Sequence, residues 1–272
     1  MTTNNPETTR RGAIGAMAIA GAMAATGVAR TAQAQGAPKT FVLVHGAWHG
    51  GWCWRRVADR LERMGHKVYA PTLTGLCDRS HLLTKDIGLD THATDIANLV
   101  KWEGLGDIVL VGHSYGGMLL PMIADKVGPS IASLVLLDAF YPEAGEGLLD
   151  LASPRTKEAL AAAIAKGDTT IAPIPAAAFN VNEKDRAWVD KQCTPHPART
   201  LVDKISAAAA TAREKVGKKA YVRAGAYANV AFDAGLAKAK ANAAWKTYTV
   251  PCGHDVMVDM PDRLVEILVE VA

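Results

Sequence analysis

From Thr40 onward, short apolar runs alternate with longer stretches in which apolar residues return every three or four positions. The runs TFVLV, HKVYA, DIVLV, ASLVLL, KAYVRA and WKTYTV are too short for helices and rich in β-branched or aromatic residues, which predicts strands. Between them, Trp54, Val57, Leu61 and Met64 recur at helical spacing, and Leu264, Ile267, Leu268 and Val271 do so after Pro261, a good first-turn residue. Strands alternating with helices imply an α/β fold: a mostly parallel sheet with helices on both faces and ligands bound beyond the carboxyl ends of the strands. Site residues are therefore expected just after strands.

Two stretches break the alternation. From about residue 141 to 216 the chain holds Ala-rich helical pieces, the Pro-containing IAPIPAAAF and the polar NEKDRAWVDKQCTPHPART, which reads as a small helical cap inserted over the site. The Ala runs are helical rather than low-complexity, since alanine is the best helix former. At the other end, Arg10 and Arg11 precede an uncharged run of small apolar residues and then AQA, a pattern of export and cleavage. Residues 1–34 are accordingly expected to be an export signal of twin-arginine type, and residues 35–272 a periplasmic domain with no stable membrane association after cleavage.

Loss of residues 1–34 would leave a net charge near +1, which supplies no electrostatic argument for nucleic acid or an anionic membrane as partner. Cys53, Cys77, Cys193 and Cys252 are widely spaced with no C-x-x-C pair, so no metal site is expected; disulfide pairing stays open.

The chemistry concentrates around LVGHSYGG, residues 110–117. Ser114 follows a strand and precedes a predicted helix, with Gly112 and Gly116 two positions to either side. That is a G-x-S-x-G nucleophile elbow, in which a tight turn exposes the hydroxyl. Serine needs a base at neutral pH, and His254 is the histidine that follows the last strand and comes after the serine in chain order. Oxyanion donors are expected from the backbone N–H of Tyr115 and from Ala47, where Gly46 lets the loop after the first strand turn inward. His45 and His113, each beside a glycine, read as partners for backbone groups; His49, His66, His81, His92 and His196 carry no comparable signal.

FVLVHGAWHGGWCW, PTLTGLCDRSHLL, GLDTH, VLVGHSYGGM and GHDVMVDMP resemble the α/β-hydrolase superfamily, in particular bacterial esterases similar to pyrethroid hydrolases and the plant methylesterase and hydroxynitrile lyase group. The resemblance runs from about Thr40 to the C-terminus and is weakest in the cap. It implies an α/β-hydrolase fold and a cofactor-free serine hydrolase that cleaves small-molecule carboxylic esters through an acyl-enzyme, with oxyanion positions on Ala47 and Tyr115.

The third member of the triad departs from that pattern. Where the relatives carry an acid after the penultimate strand, this chain has Ala226, Tyr227 and Ala228. Asp138, at the end of ASLVLL, and Asp233, further along the usual loop or capping a helix, are the substitutes. Asp138 is preferred, because a charge ending an apolar strand is costly unless paired. Asp255 is expected to point away from His254. Trp48, Phe140 and Tyr141, with Trp188 and Phe179 as further candidates, would line an apolar pocket for bulky hydrophobic esters. A cyanohydrin lyase is a poor reading, since Asp255 stands where the resembling lyases carry lysine beside the histidine. Amide, carbamate or lactone hydrolysis, or ligand binding without catalysis, are the alternatives.

Overall fold

A computed structural model describes residues 37–272, so the expected export signal lies outside the described residues. In chain order the elements are β1 (Thr40–Val44), α1 (Arg55–Arg63), β2 (Lys67–Tyr69), α2 (Leu89–Trp102), β3 (Ile108–His113), α3 (Gly116–Val127) and β4 (Ile131–Leu137). The intervening segment holds α4 (Leu148–Leu151), α5 (Pro154–Ala165), β5 (Thr170–Ile171), α6 (Glu183–Gln192), β6 (His196–Pro197) and α7 (Ala207–Lys215). The chain closes with β7 (Lys218–Ala224), α8 (Val230–Lys240), β8 (Trp245–Val250), α9 (Val256–Asp259) and α10 (Pro261–Val271).

Six strands form one parallel sheet in the order β2-β1-β3-β4-β7-β8. Along β1 the side chains alternate between two buried layers. Val42 and Val44 join Leu110, Leu134 and Leu136 beneath α2 and α3, whereas Phe41 and Leu43 join Val109, Val111 and Val135 with residues of α1 and α10. Burial on both faces is why these strands read as continuous apolar runs rather than alternating ones.

The chain passes from β1 outward to β2 and returns to β3 on the other side of β1. The loops leaving β1 and β3 therefore sit at the reversal point of the strand order, the place where ligands bind in open parallel sheets. Ala47 and Ser114 lie on these two loops. Across β4 and β7, Leu137 pairs with Val222, which brings Asp138 and Arg223 side by side one step further on.

The segment between β4 and β7 carries the expected helical pieces, with β5 and β6 paired antiparallel as a small separate sheet. Its last helix, α7, packs against α3 of the main body. Arg56 of α1 ties the segment down by a forked pair of bonds to Asp185 on α6, at 2.8 and 2.7 Å, and a third to the Val258 carbonyl. Among the described residues, no helix is long and apolar enough to cross a membrane.

Candidate active site

Ser114 stands between β3 and α3 with φ of 53°, the left-handed region that L-residues avoid. The turn is held from all sides: the Ser114 N–H donates to Leu137 O at 3.2 Å, and Ser114 O accepts from Gly117 N–H at 3.0 Å and Phe140 N–H at 3.2 Å. A side chain at Gly112 would press on the Gly116 carbonyl at 2.9 Å and on Leu120 at 2.8 Å, so the strand can enter this turn only as glycine.

His254 lies past β8, almost wholly buried. Its Nδ1–H donates to Oδ2 of Asp138 at 2.6 Å. Asp138, itself in a left-handed conformation with φ of 41°, is fully buried at the end of β4. Its other oxygen accepts from Nη1 of Arg223 at 2.6 Å and from Ala224 N–H at 3.0 Å. Asp233 does not reach the histidine; it bonds Arg223 at 2.9 Å, and the cap of α8 is Asn229, whose side chain accepts from Ala231 and Phe232 N–H.

The imidazole of His254 sits in an aromatic box. Phe232 stacks on it at 5.2 Å and 13°, while Tyr227, Phe179 and His113 approach at 4.9, 5.2 and 4.4 Å between ring centres. Tyr227 thus occupies the loop where an acid was expected. Backbone contacts complete the placement: His254 N–H donates to Phe179 O at 2.9 Å, and its carbonyl accepts from Nε2 of His113 at 3.1 Å.

The loop after β1 comes close to the serine, since a side chain on Gly46 would meet Ser114 Cβ at 3.0 Å. Among the described residues, the N–H groups of Ala47 and Tyr115 donate to no protein acceptor. His45 spans this loop, donating from Nδ1 to Gly46 O at 2.8 Å and accepting from Leu73 N–H at 3.0 Å. Burial pushes its pKa down to about 3, so it acts as a neutral brace.

Of the pocket candidates, Phe140 packs edge-on against Phe232, and Trp48 and Phe179 pack together at 6.1 Å. Trp48 is strained, with φ of 65°, and is bound to the cap: its N–H donates to His196 Nδ1 at 3.4 Å, its indole to Ile171 O at 3.1 Å, and its carbonyl accepts from Thr194 N–H at 3.0 Å. Tyr141 is not brought to the serine. It packs against Trp245 and under Arg213 on the α7 side, with its hydroxyl on Glu214. Trp188 also lies apart, against Trp52 and Arg56. A cleft of about 690 Å³ beside α1 and α6, lined by Trp52, Arg55, Cys77 and Lys191, includes none of the residues around Ser114.

Three comparisons with known proteins bear on this geometry. Residues 41–267 match the sequence model of the Alpha/beta hydrolase family. The chain belongs to the alpha/beta hydrolase family. Along 83% of its length, and 96% of the relative's, it is 41% identical to a carbendazim hydrolyzing esterase of Nocardioides sp. (strain SG-4G). It is 37% identical to methylesterase 2 of Arabidopsis thaliana over 38% of this chain and 40% of that one. In fold, it is similar to an extracellular alpha/beta-hydrolase from a Paenibacillus species, with a TM-score of 0.76, 22% identity and coverage of 86% and 99%. A pyrethroid hydrolase from Sphingobium faniae JZ-2 follows at 0.61 and 19%, covering 85% and 96%.

Within this alpha/beta hydrolase, His49 and His92 carried no sequence signal, yet both are bonded to residues beside Ser114 or His254. His49 donates from Nδ1 to Ala47 O at 2.8 Å and from Nε2 to Asp255 Oδ2 at 3.1 Å; both ring nitrogens face acceptors, so the ring holds two protons. Burial opposes that charge, but Asp255 outweighs it and raises the His49 pKa. Burial likewise opposes ionisation of Asp255, and the nearby His49 charge holds its carboxyl far below the usual range. His92 accepts from the Tyr115 hydroxyl at 2.8 Å and donates to Thr74 O at 2.9 Å, and burial takes its pKa down to about 4. His113, His254 and Asp255 bring ring nitrogens and a carboxylate oxygen within 4.8 Å of one another. The bonds from His254 to Asp138 and from His113 to the His254 carbonyl already employ a nitrogen of each ring. All four cysteines are free thiols.

Proposed function

We propose that this protein is a serine esterase that cleaves carboxylic esters through an acyl-enzyme intermediate. The chain is an ester-cleaving enzyme of the alpha/beta hydrolase family, like the esterases it resembles. Ser114 attacks the ester carbonyl, His254 takes the proton and returns it to the leaving alcohol, and Asp138 fixes the tautomer that leaves Nε2 free to accept. The N–H groups of Ala47 and Tyr115 hold the developing oxyanion, each at a value of roughly 3 to 4 kcal/mol in the transition state. Water then attacks the acyl-enzyme along the same route.

The observation that carries this reading is the 2.6 Å bond from His254 Nδ1 to buried Asp138, next to a serine held at positive φ. The aromatic surroundings of Phe179, Tyr227 and Phe232 favour a bulky hydrophobic acyl or alkoxy group over a charged metabolite. The relative named for carbendazim hydrolysis makes carbendazim the first compound to offer, beside short and bulky aryl esters. Action outside the cytoplasm rests on the paired arginines and the apolar run of residues 1–34.

The test is labelling by a fluorophosphonate together with ester hydrolysis. Ser114→Ala should abolish labelling and lower kcat by at least about 10³-fold, and Asp138→Asn should lower kcat by about 10³- to 10⁴-fold with the fold intact. Hydrolysis that survives Ser114→Ala would exclude the mechanism.

A further inference from the structure

Among the described residues, Arg223 is the guanidinium that touches the acid of the proposed triad, and it is almost completely enclosed, with 4% of its surface exposed. Enclosing a cation costs several kcal/mol unless it is well paired, so its partners carry information. Nη1 donates to Asp138 Oδ1 and to Ala224 O, each at 2.6 Å; Nη2 donates to Tyr227 O at 2.6 Å; Nε donates to Asp233 Oδ1 at 2.9 Å. These bonds reach the end of β4, the exit of β7, the loop after β7 and the first turn of α8. That loop and that helix supply Tyr227 and Phe232, two of the rings that enclose His254. One side chain thus secures both the acid and the aromatic box around the base.

We propose that Arg223 is the positioning residue of this site, clamping Asp138 so that an acid placed after β4 can orient His254, and balancing the acid's charge as the imidazole sees it. The inference rests on the serine-esterase reading above. Its first half is geometric: Nη1 and the Ala224 N–H hold Oδ1 and leave Oδ2 directed at His254, while the remaining arms of the planar guanidinium fix its own position on Tyr227 O and Asp233. Its second half is electrostatic. With the guanidinium in place, the Asp138 charge is offset by Arg223, which Asp233 also shares from the exposed side; without it, the uncompensated Asp138 carboxylate beside the ring favours the imidazolium and removes free base at a given pH. The other titratable groups facing His254 are Tyr227 from the loop after β7, Asp233 from α8 through Arg223, His113 from β3, and the Asp255–His49 pair behind it. None of these residues is itself substituted in the variants below; Asp233 and the Tyr227 carbonyl lose their Arg223 partner in both Arg223 variants, so the contrast between glutamine and lysine isolates the charge.

The experiment is the pH dependence of kcat and kcat/KM for an aryl ester, with melting temperature as the check on folding. Parent, Arg223→Gln and Arg223→Lys are compared, with Ser114→Ala and Asp138→Asn alongside. For Arg223→Gln we expect kcat to fall about 10- to 100-fold with KM within about threefold, and the acid limb to move upward by roughly one pH unit. Arg223→Lys keeps the charge and loses the fork, so it should retain the parental acid limb and still show a reduced kcat. A folded Arg223→Gln protein with parental kcat and parental acid limb would overturn the proposal. So would an Arg223→Lys acid limb displaced upward by roughly one unit, a result that decides the matter even if the glutamine variant does not fold. Activity lost in Ser114→Ala and Asp138→Asn but indifferent to Arg223 removes this inference alone; activity that survives Ser114→Ala removes the esterase mechanism and this inference with it.

Discussion

Asp255 follows His254 directly, yet its carboxylate bonds His49 at 3.1 Å in a fully buried pair and makes no bond to the His254 ring. Two acid–imidazole pairs therefore lie near one another, Asp138 with His254 and Asp255 with His49, and they differ in their second contacts. His49 spends its other proton on the Ala47 carbonyl and stacks on Trp52 at 5.2 Å, so it braces the loop after β1. Its charge is isolated from water, and removal of the partner strands it. Asp255→Ala should destabilise the fold by about 3 to 5 kcal/mol, the usual cost of breaking a buried pair from one side, read as a fall in denaturant midpoint. An unchanged midpoint would mean that His49 is neutral in the native state. By sequence Asp255 is expected to point away from His254; in the fold its carboxylate stays within 4.8 Å of a ring nitrogen of His254 and of His113 but bonds neither, and its partner His49 lies 206 residues away, where only the folded loop brings it near.

Among the elements, α3 carries the tightest constraint, because its first turn must follow Ser114 without a break and lie against the loop leaving β4. A methyl group at Gly117 would run into the Phe140 carbonyl and touch Ala139 Cβ at 2.9 Å. Helix propensity alone would favour alanine by about 1 kcal/mol, but backbone cannot move aside as a flexible side chain can, and overpacking costs about 1 to 3 kcal/mol. Gly117→Ala should therefore lower both thermal stability and kcat, measured by a melting curve and by ester turnover; a stabilised, fully active variant would show that the turn has slack. The strand runs and the helices at either end were legible because burial on both faces or on one stripe leaves a clear pattern. The cap was less so: α5 buries no side chain fully, and α7, which looked like part of the cap, packs on α3. Alanine-rich helices carry too little contrast between faces to reveal what they lie against.

Across the whole molecule, six of the eight histidines are buried, which links stability to pH. Burial lowers the pKa of His45 to about 3 and of His92 to about 4, and drives those of His113 and His196 down as well. In the unfolded chain each titrates near 6.5, so on acidification the unfolded state binds protons first and stability falls between about pH 6.5 and 4. His92 alone would account for roughly 3 kcal/mol over that window. His49 works in the other direction: its raised value gives a contribution that is complete below the unfolded pKa and fades as pH rises through the folded one. Four depressed buried histidines against one raised buried histidine predict a net loss in acid. Urea unfolding at pH 7, 5.5 and 4.5 should show it; constant stability across that range would contradict the neutral, buried state assigned to these rings.

The sequence by itself determined the parallel α/β architecture, the turn at Ser114 and the place of His254 after the last strand, because each rests on a local pattern: apolar runs, glycines beside a hydroxyl, chain order. It also pointed to Asp138, since a carboxylate ending an apolar strand demands a partner. Only the tertiary structure decided what that partner set is. Arg223 sits inside KAYVRA as one charge in a strand, and its meaning depends on β4 and β7 being neighbours in register. The same holds for Asp233, drawn to Arg223 rather than to His254, and for Tyr141, taken up by Trp245 and Arg213 rather than by the pocket. Local patterns record which face of a segment is buried; they do not record which other segment buries it, and the chemistry of a site made from four strand ends lies in that second fact.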